Sequence, residues 1–375
     1  MPSSVTFLFA GGGTGGHLYP ALAIARELAD LEPGARSVFL CSTRPLDQRI
    51  LDAAGARSVA IPAAPPSLAP KRLVKFLFAW GPSVRAAREA IREAKAASCA
   101  PAPVIAMGGF VAAPCVQAAR SERTPVALIN LDAVPGKANR WIAGRAGLCL
   151  AVAGADRLSG AVPLRPIVRR EAMPPGPAPA CRTLLGLDPA LRTLFITGGS
   201  QGASSINNLM IALAREEPRA FAGWQVFHQA GDAAATESLG AAYSAAGIPA
   251  RVVAFCDPMG PAWGAADLAL SRCGAGAVAE IWASGTPSLL LPYPYHRDQH
   301  QRANARPLVD CEGAIVETDL IDPQQNLAGA GRTLAALVAH PARLAGMRRG
   351  LATLGPAEGA RQAAEQLLRW AHAQQ

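Results

Sequence analysis

A single histidine closes a glycine-rich segment near the start of the chain. Gly11-Gly12-Gly13-Thr14-Gly15-Gly16 precedes His17, and a helical run begins at Pro20. Glycines let the backbone approach a ligand closely, and the N–H groups at a helix start attract anions. An imidazole, with an ordinary pKa of about 6.5, can accept a proton near neutral pH. His17 is therefore a candidate general base, with a solvated or capping histidine as the alternative.

A second glycine turn, Gly198-Gly199-Ser200-Gln201-Gly202-Ala203, lies in the other half of the chain. Ser200 can donate a hydrogen bond to a phosphate at a helix start, unless it only caps the helix. The first turn lacks the lysine of NTP-hydrolysing loops and the later acidic residue of dinucleotide folds. Two glycine turns, one in each half, favour a ligand with two parts.

Polar residues in the second half have types suited to a sugar nucleotide. Glu280 lies in the first turns of a helix predicted to begin near Gly274, where a carboxylate can pair with two ribose hydroxyls. The alternative is a favourable acidic charge near a helix N-terminus. Asp298-Gln299-His300-Gln301 follows a predicted strand, and its polar side chains can bind sugar hydroxyls or simply begin a polar helix.

The segment Lys71–Trp80 mixes cations with large apolar side chains. A helix of this composition can lie in the interface of an anionic bilayer. A buried helix whose lysines reach out to solvent is the alternative.

Short apolar runs alternate with alanine-rich helical stretches along the whole chain. This alternation implies parallel sheets covered on both faces, so each half is predicted to be a doubly wound α/β domain. The strands predicted in the first half are Val5–Ala10, Ser37–Cys41, Ser58–Ile61, Val104–Met107, Val126–Asn130 and Leu148–Val152. Those predicted in the second half are Thr193–Thr197, Gln225–Gln229, Arg251–Phe255, Leu268–Leu270 and Ser288–Leu291.

A proline-rich segment divides the two halves. Pro163–Pro189 contains seven prolines and is predicted to be a linker that cannot keep a helix. The expected domains are residues 1–165 and 166–356, with a helix in residues 357–375 that can pack back on the first domain.

Composition narrows the class of protein. The chain has 375 residues, 50% of them hydrophobic, without an apolar run near the roughly 18 residues of a membrane span, so a cytosolic protein is expected. A net charge of +9 favours anionic partners, while 5% aromatic residues and dispersed charge disfavour nucleic acid. The 8 cysteines show no C-x-x-C pair and no adjacent histidine, so neither a metal site nor a disulfide framework is expected. No cofactor is expected either.

Together the motifs resemble the MurG family of glycosyltransferases. The resemblance spans nearly the whole chain and implies a GT-B fold, in which two Rossmann-like domains face each other across a cleft. It also implies inverting, metal-independent transfer of N-acetylglucosamine from UDP-N-acetylglucosamine to undecaprenyl-diphospho-muramoyl-pentapeptide, at the cytoplasmic face of the inner membrane. The matching segments are Gly12–His17, Gly108-Gly109-Phe110, Gly198–Gly202, Gly274–Glu280 and Asp298–Gln301.

The resemblance implies roles for individual residues. Glu280 would hold the ribose, and the backbone of Cys256 would face uracil. His300 with Gln301 would hold the N-acetylglucosamine. The donor-side residues are Thr14, Gly15, Gly16, Arg169, Ser200, Gln201, Cys256, Glu280, His300 and Gln301. The acceptor-side residues are Gly108, Gly109, Phe110 and Asn139. The residues at the family's membrane-facing patch are Phe76, Leu77, Phe78 and Trp80.

The chain departs from the family in one acceptor-side segment. The family typically has His-Glu-Gln-Asn where this chain has Ile129-Asn130-Leu131-Asp132. Asp132 is therefore a second candidate base, although we favour His17 because bases near pH 7 are most often histidines. We predict transfer to a lipid-linked muramoyl acceptor. The alternatives are transfer to another lipid acceptor, a UDP-sugar epimerase on the same fold, and a non-catalytic sugar-nucleotide binder.

Overall fold

The chain folds as two compact units. The computed structural model describes residues 5–65, 69–98, 101–199, 202–296 and 298–374. Unit 1 comprises Met1–Arg169 with Glu358–Gln375, and unit 2 comprises Arg170–Ala357. The observed boundary, after Arg169, lies four residues beyond the predicted boundary after residue 165. Each unit contains one sheet of parallel strands joined by helices.

Unit 1 contains a seven-stranded sheet. Its strands are β1 (Thr6–Ala10), β2 (Arg36–Ser42), β3 (Ser58–Ile61), β4 (Val104–Ala106), β5 (Val126–Asn130), β6 (Leu148–Ala151) and β7 (Val162–Pro163). The helices between them are α1 (Gly15–Leu31), α2 (Pro45–Ala53), α3 (Pro70–Ser98), α4 (Gly109–Ser121) and α5 (Lys137–Ala143).

Unit 2 contains a six-stranded sheet. Its strands are β8 (Arg192–Thr197), β9 (Trp224–Gln229), β10 (Ala250–Val253), β11 (Leu268–Ser271), β12 (Ser288–Leu290) and β13 (Ala314–Val316). Its helices are α6 (Ala178–Leu184), α7 (Ser204–Glu216), α8 (Ala233–Ala245), α9 (Gly260–Ala265), α10 (Ala275–Ser284), α11 (His300–Asn304), α12 (Arg306–Asp310), α13 (Pro323–Asn326), α14 (Arg332–Ala339) and α15 (Pro341–Ala352).

The final helix, α16 (Gly359–His372), belongs to unit 1 and packs against α1. The Gly359 N–H donates to the carbonyl oxygen of Pro166 at 3.0 Å, which fixes the start of the helix. At its other end, His372 Nε2 lies 2.8 Å from Glu32 Oε2, just after α1. The end of the chain therefore returns to the first unit.

In both sheets the strand order reverses beside the first strand. The order is β3-β2-β1-β4-β5-β6-β7 in unit 1 and β10-β9-β8-β11-β12-β13 in unit 2. Central strands such as β1 and β11 are buried along their whole length, which is why their sequences are continuous apolar runs. In such sheets ligands bind at the carboxyl ends of the strands where the order reverses, here between β1 and β4 and between β8 and β11.

The doubly wound α/β prediction is confirmed, and each of the predicted strands is present. Two short edge strands, β7 and β13, had not been predicted. The prediction that the proline-rich segment holds no helix is wrong, because α6 lies within it. Pro177 precedes this helix and Pro179 lies in its first turn, where a missing N–H removes no helical hydrogen bond. Among the described residues, no helix is both long and apolar enough to cross a membrane.

Candidate active site

In unit 1 the predicted glycine motifs lie at the reversal point of the sheet. Residues 11–14 connect β1 to α1, and Gly108 with Gly109 connects β4 to α4. Gly13 has a φ of +86°, and a Cβ atom there would lie 2.5 Å from the Phe110 ring. Phe110, predicted on the acceptor side, therefore packs directly against the first glycine turn, and only glycine fits at position 13.

A buried carboxylate that sequence reasoning missed holds this turn. Asp47 Oδ2 accepts hydrogen bonds from the Gly13 N–H at 2.7 Å, the Ser42 N–H at 3.0 Å and the Ser42 hydroxyl at 2.6 Å. On the other side, Arg44 Nη1 donates to the Gly13 carbonyl oxygen at 2.7 Å. Asp47 lies in the first turn of α2, where an acidic residue normally signals only a favourable helix charge.

The His17 imidazole lies against the second glycine pair. A Cβ atom added at Gly108 would lie 3.3 Å from the Nε2 atom of His17, and one added at Gly109 would lie 3.3 Å from its Nδ1 atom. Burial lowers the pKa of His17 below its ordinary value, while the carboxylate of Asp132, the Gly12 carbonyl and Asp47 oppose that shift. The ring is therefore neutral at pH 7 and able to accept a proton.

An amide network places Asn139 and Asp132 near the histidine. The buried Asn130 donates through Nδ2 to the carbonyl oxygens of Asp132 at 2.8 Å and Ala153 at 2.7 Å. Asn139 Nδ2 donates to Asn130 Oδ1 at 2.9 Å, and Asn139 Oδ1 lies 3.0 Å from the Cβ position of Gly108. Asn130 and Asp132, both within residues 129–132, are thus connected to the surroundings of His17.

In unit 2 the second glycine turn also lies at a reversal point, between β8 and α7. Ser200 and Gln201 lie outside the described residues. Gln229, at the end of β9, donates to the Gly199 carbonyl oxygen at 2.8 Å and accepts from the Cys256 N–H at 3.1 Å. This glutamine, which sequence reasoning missed, joins the glycine turn to the segment predicted to face uracil. Burial raises the pKa of the Cys256 thiol to about 11, so the side chain stays protonated.

The Glu280 carboxylate is oriented by a buried tryptophan. Trp263 Nε1 donates to Glu280 Oε2 at 2.8 Å, and Trp263 itself packs edge-on against Phe195 at 4.8 Å between ring centroids. Glu280 is half-buried in α10, which begins beside β11 at the reversal point. The carboxylate is therefore fixed at the edge of the sheet where a nucleotide is expected.

The predicted sugar-binding segment is internally hydrogen-bonded. His300 Nδ1 lies 2.7 Å from Asp298 Oδ1, and its ring stands 4.2 Å from that of His296. The hydrogen bond from His300 lowers the pKa of Asp298. Gln301 Oε1 accepts from the Tyr293 N–H at 2.8 Å, which ties α11 to the end of β12.

The remaining residues that were predicted on the donor side lie in unit 1. Thr14 and Gly16 are exposed and Gly15 is buried at the start of α1. Arg169, which the predicted boundary placed in the second domain, belongs to unit 1, and its guanidinium lies 3.6 Å from the centroid of the Tyr19 ring in α1. In the described part of the chain, no group of three or more His, Cys, Asp or Glu side chains is placed to hold a metal ion.

The first two turns of α3 expose a run of large apolar side chains. Leu77 is 61% and Phe78 is 78% exposed, and Leu73 and Val74 lie beside them on the helix. The exposed apolar surface formed by Leu73, Val74, Leu77 and Phe78 is called the α3 patch below. The other two predicted membrane residues, Phe76 and Trp80, are half-buried.

Comparisons with known proteins show which family the chain resembles. Residues 7–147 match the glycosyltransferase family 28 N-terminal domain, and residues 193–349 match its C-terminal domain. A UDP-N-acetylglucosamine–N-acetylmuramyl-(pentapeptide) pyrophosphoryl-undecaprenol N-acetylglucosamine transferase from Acidothermus cellulolyticus is 37% identical over 353 residues, 93% of each chain. The protein of the same name from Geobacter metallireducens is 33% identical over 94% of this chain and 95% of its own.

Solved structures share the fold across nearly the whole chain. A crystal structure of Acinetobacter baumannii MurG has a TM-score of 0.71 at 24% identity and covers 98% of this chain and 100% of its own. A UDP-GlcNAc 2-epimerase from Neisseria meningitidis, bound to UDP-GlcNAc, has a TM-score of 0.64 at 13% identity, with 98% and 100% covered. At these identities the likeness concerns the fold alone.

The two doubly wound units and their matching domains define a two-domain glycosyltransferase of the GT-B type. Within that class the chain belongs to the family of UDP-N-acetylglucosamine–N-acetylmuramyl-(pentapeptide) pyrophosphoryl-undecaprenol N-acetylglucosamine transferases.

Proposed function

We propose that this protein transfers N-acetylglucosamine from UDP-N-acetylglucosamine to a lipid-linked N-acetylmuramyl-pentapeptide, the conversion of lipid I to lipid II in peptidoglycan synthesis. The observation that carries the proposal is 37% identity over 93% of the chain with a relative of that name. The neutral His17 beside a glycine turn supports it, because such a transfer needs a base.

In the proposed reaction, the acceptor hydroxyl oxygen bonds to the anomeric carbon as the bond from that carbon to the UDP phosphate oxygen breaks. Attack from the face opposite UDP inverts the anomeric configuration. The hydroxyl proton passes to His17, and the negative charge of Asp132 stabilises the imidazolium that forms. Asn139, Gly108, Gly109 and Phe110 form the acceptor side of this arrangement.

We assign the donor chiefly to unit 2. Glu280 holds the ribose, the Cys256 segment meets uracil, and His300 with Gln301 holds the sugar. Ser200, Gln201 and the N–H groups of the second glycine turn meet the diphosphate, whose growing negative charge such fixed dipoles stabilise. We also assign four residues of unit 1 to the donor: Arg169, which supplies positive charge to the diphosphate, and Thr14, Gly15 and Gly16 of the first glycine turn.

A direct assay tests the proposal and its nearest rival. The protein is incubated with UDP-N-acetylglucosamine, with and without lipid I, and both UDP and the lipid product are measured. We expect UDP release only with lipid I, together with a lipid that has gained one N-acetylglucosamine. Epimerised UDP-sugar formed without any lipid would identify a 2-epimerase instead, and activity with a different lipid would redirect the acceptor assignment.

We further propose that the protein acts at the cytoplasmic face of the inner membrane and binds it peripherally through the α3 patch. Lys71 and Lys75 are exposed on the same helix, so cations lie close to the apolar side chains. Apolar insertion combined with attraction to anionic lipids is the usual mode of an interfacial helix. Phe76 packs edge-on against Trp80 at 5.6 Å between ring centroids, and Trp80 Nε1 donates to Gln117 Oε1 of α4 at 2.7 Å.

Replacing Leu77 and Phe78 together by serine is expected to weaken binding to anionic phosphatidylglycerol vesicles by about tenfold or more. Each large apolar side chain contributes up to roughly 1.5–3 kcal/mol when fully buried, and about 1.4 kcal/mol corresponds to tenfold. Vesicle co-sedimentation measures the effect, and raised salt should weaken what the lysines contribute. Leu184→Ser is the matched control, because Leu184 is 66% exposed in unit 2. Equal losses in both variants, or a wild type that ignores the vesicles, would contradict the proposal.

A further inference from the structure

A buried ion pair lies at the carboxyl edge of the unit 2 sheet. Arg272 Nη1 is 2.7 Å from Asp319 Oδ2, and the side chains are 11% and 0% exposed. Arg272 directly follows β11, and Asp319 follows β13. Neither residue has a role in the site described above.

Arg272 bonds to the donor-side segments on either side of it. Its Nη2 donates to the Ser205 hydroxyl at 2.8 Å, and Ser205 lies in the first turn of α7 beyond the second glycine turn. Its Nη1 donates to the carbonyl oxygens of Leu291 at 2.9 Å and Pro292 at 3.2 Å. Those carbonyls begin the segment that leads to His300 and Gln301.

Asp319 completes the connection from the opposite side. Its carboxylate accepts from the Ser205 hydroxyl at 2.6 Å, from Asn326 Nδ2 at 2.9 Å and from the Ile321 N–H at 2.8 Å. Burial alone would raise the pKa of Asp319, but these hydrogen bonds and that of Arg272 hold it below its ordinary value. The carboxylate therefore stays charged, and the ion pair persists at neutral pH.

We propose that Arg272 and Asp319 are positioning residues that hold the diphosphate-binding turn and the sugar-binding segment of unit 2 in fixed relation to each other. A guanidinium suits this task, because its N–H groups reach several acceptors at once in a rigid geometry. The inference rests on the proposed function, since it assumes that these two segments bind one UDP-sugar.

A second buried ion pair in the same unit offers a matched control. Arg182 Nη2 lies 2.6 Å from Asp267 Oδ2, with side chains 9% and 19% exposed. Arg182 also donates to the carbonyl oxygens of Ala265 and Pro189. Asp267 accepts from the Thr193 N–H near the start of β8, which is the edge of the sheet opposite the glycine turn. This pair resembles the first in burial and bonding but lies away from the donor-side segments.

The experiment compares Arg272→Lys, Asp319→Asn and Arg182→Lys in the full-length protein. Melting temperature, the dissociation constant for UDP, and KM and kcat for UDP-N-acetylglucosamine are measured for each. Lysine keeps the charge of Arg272 but has too few N–H groups in the right places for all its partners. We expect UDP binding to weaken about tenfold in Arg272→Lys and up to about 100-fold in Asp319→Asn, the scale of losing hydrogen bonds to a charged group. KM for UDP-N-acetylglucosamine should rise at least as much, because the sugar uses the second segment.

Arg182→Lys is expected to lower the melting temperature without weakening UDP binding, because its partners lie at the other edge of the sheet. Unchanged UDP affinity in folded Arg272→Lys and Asp319→Asn would overturn the inference, as would an equal loss in Arg182→Lys. If Asp319→Asn does not fold, the milder Arg272→Lys decides the outcome. A wild type that does not bind UDP would count against the proposed function itself, which is a separate failure.

Discussion

Replacing His17 by alanine is expected to lower the turnover number by roughly 10²–10⁴-fold, the usual contribution of a general base. The imidazole lies against Gly108 and Gly109, and burial keeps its pKa below the ordinary 6.5, so the ring can accept a proton at pH 7. UDP affinity should change little, because the donor is assigned chiefly to unit 2. Turnover with both substrates saturating, together with a UDP titration, measures the two effects.

The pH dependence of turnover reports on the same group. As pH falls through the lowered pKa of His17, the ring gains a proton and turnover falls, so the midpoint lies below 6.5. The negative charge of Asp132 raises this pKa, so Asp132→Asn should move the midpoint to still lower pH. His228 cannot cause this fall in turnover, because burial lowers the pKa of His228 to about 3.

The competing hypothesis makes Asp132 the base. In that case Asp132→Asn would lose roughly 10²–10⁴-fold in turnover, while His17→Ala stayed within a few-fold of wild type. That pair of results, with UDP affinity intact in both variants, would overturn the assignment of His17. If His17 is the base, Asp132→Asn should instead change the maximal rate only a few-fold and shift the pH profile.

The fold could be predicted from the sequence wherever a strand is buried on both faces. β1, β5 and β8 are runs of apolar residues bounded by turns, so their identity and type are visible without tertiary information. β13 was missed because it is an edge strand with only one of its three residues fully buried, whereas the equally short β4 and β12 are buried at every position. α6 was missed because its prolines lie before and within its first turn, where they do not oppose a helix.

The candidate site could be predicted only where its residues are contiguous in sequence. The glycine turns are such segments, and the structure brings Gly108 and Gly109 to His17. Asp47 and Gln229 act on turns 34 and 30 residues away, and nothing near them in sequence indicates those partners. Polar residues are common at strand ends and helix starts. The sequence therefore does not distinguish those that bond to a distant turn from those that do not.

The exposed surface of α3 shows a similar limit. Its composition predicts an amphipathic helix, but which side chains face outward depends on how the helix packs against α4. Trp80 bonds to Gln117 of α4 and is half-buried, whereas Leu73 and Val74 are exposed together with Leu77 and Phe78.

The second large effect is expected at Glu280. Glu280→Ala should weaken UDP-N-acetylglucosamine binding by roughly 1–3 kcal/mol, the scale for losing a charged hydrogen-bonding group, which is about 5–150-fold in the dissociation constant. The same change leaves the buried Trp263 N–H without its acceptor, so a lower melting temperature is also expected. Glu280→Gln removes the charge but keeps an oxygen for Trp263, and should therefore lose affinity with less effect on stability.

The nucleotide itself can show whether Glu280 acts on the ribose. If its carboxylate binds the ribose hydroxyls, wild-type protein should bind UDP more tightly than 2′-deoxy-UDP, and Glu280→Ala should lose that preference. Glu317→Ala is the matched control, because Glu317 is another half-buried carboxylate of unit 2 that accepts from Thr333 at 2.7 Å. Calorimetric titration of both nucleotides against the three proteins measures the preference. If a folded Glu280→Ala protein still prefers UDP to the same degree, Glu280 does not bind the ribose.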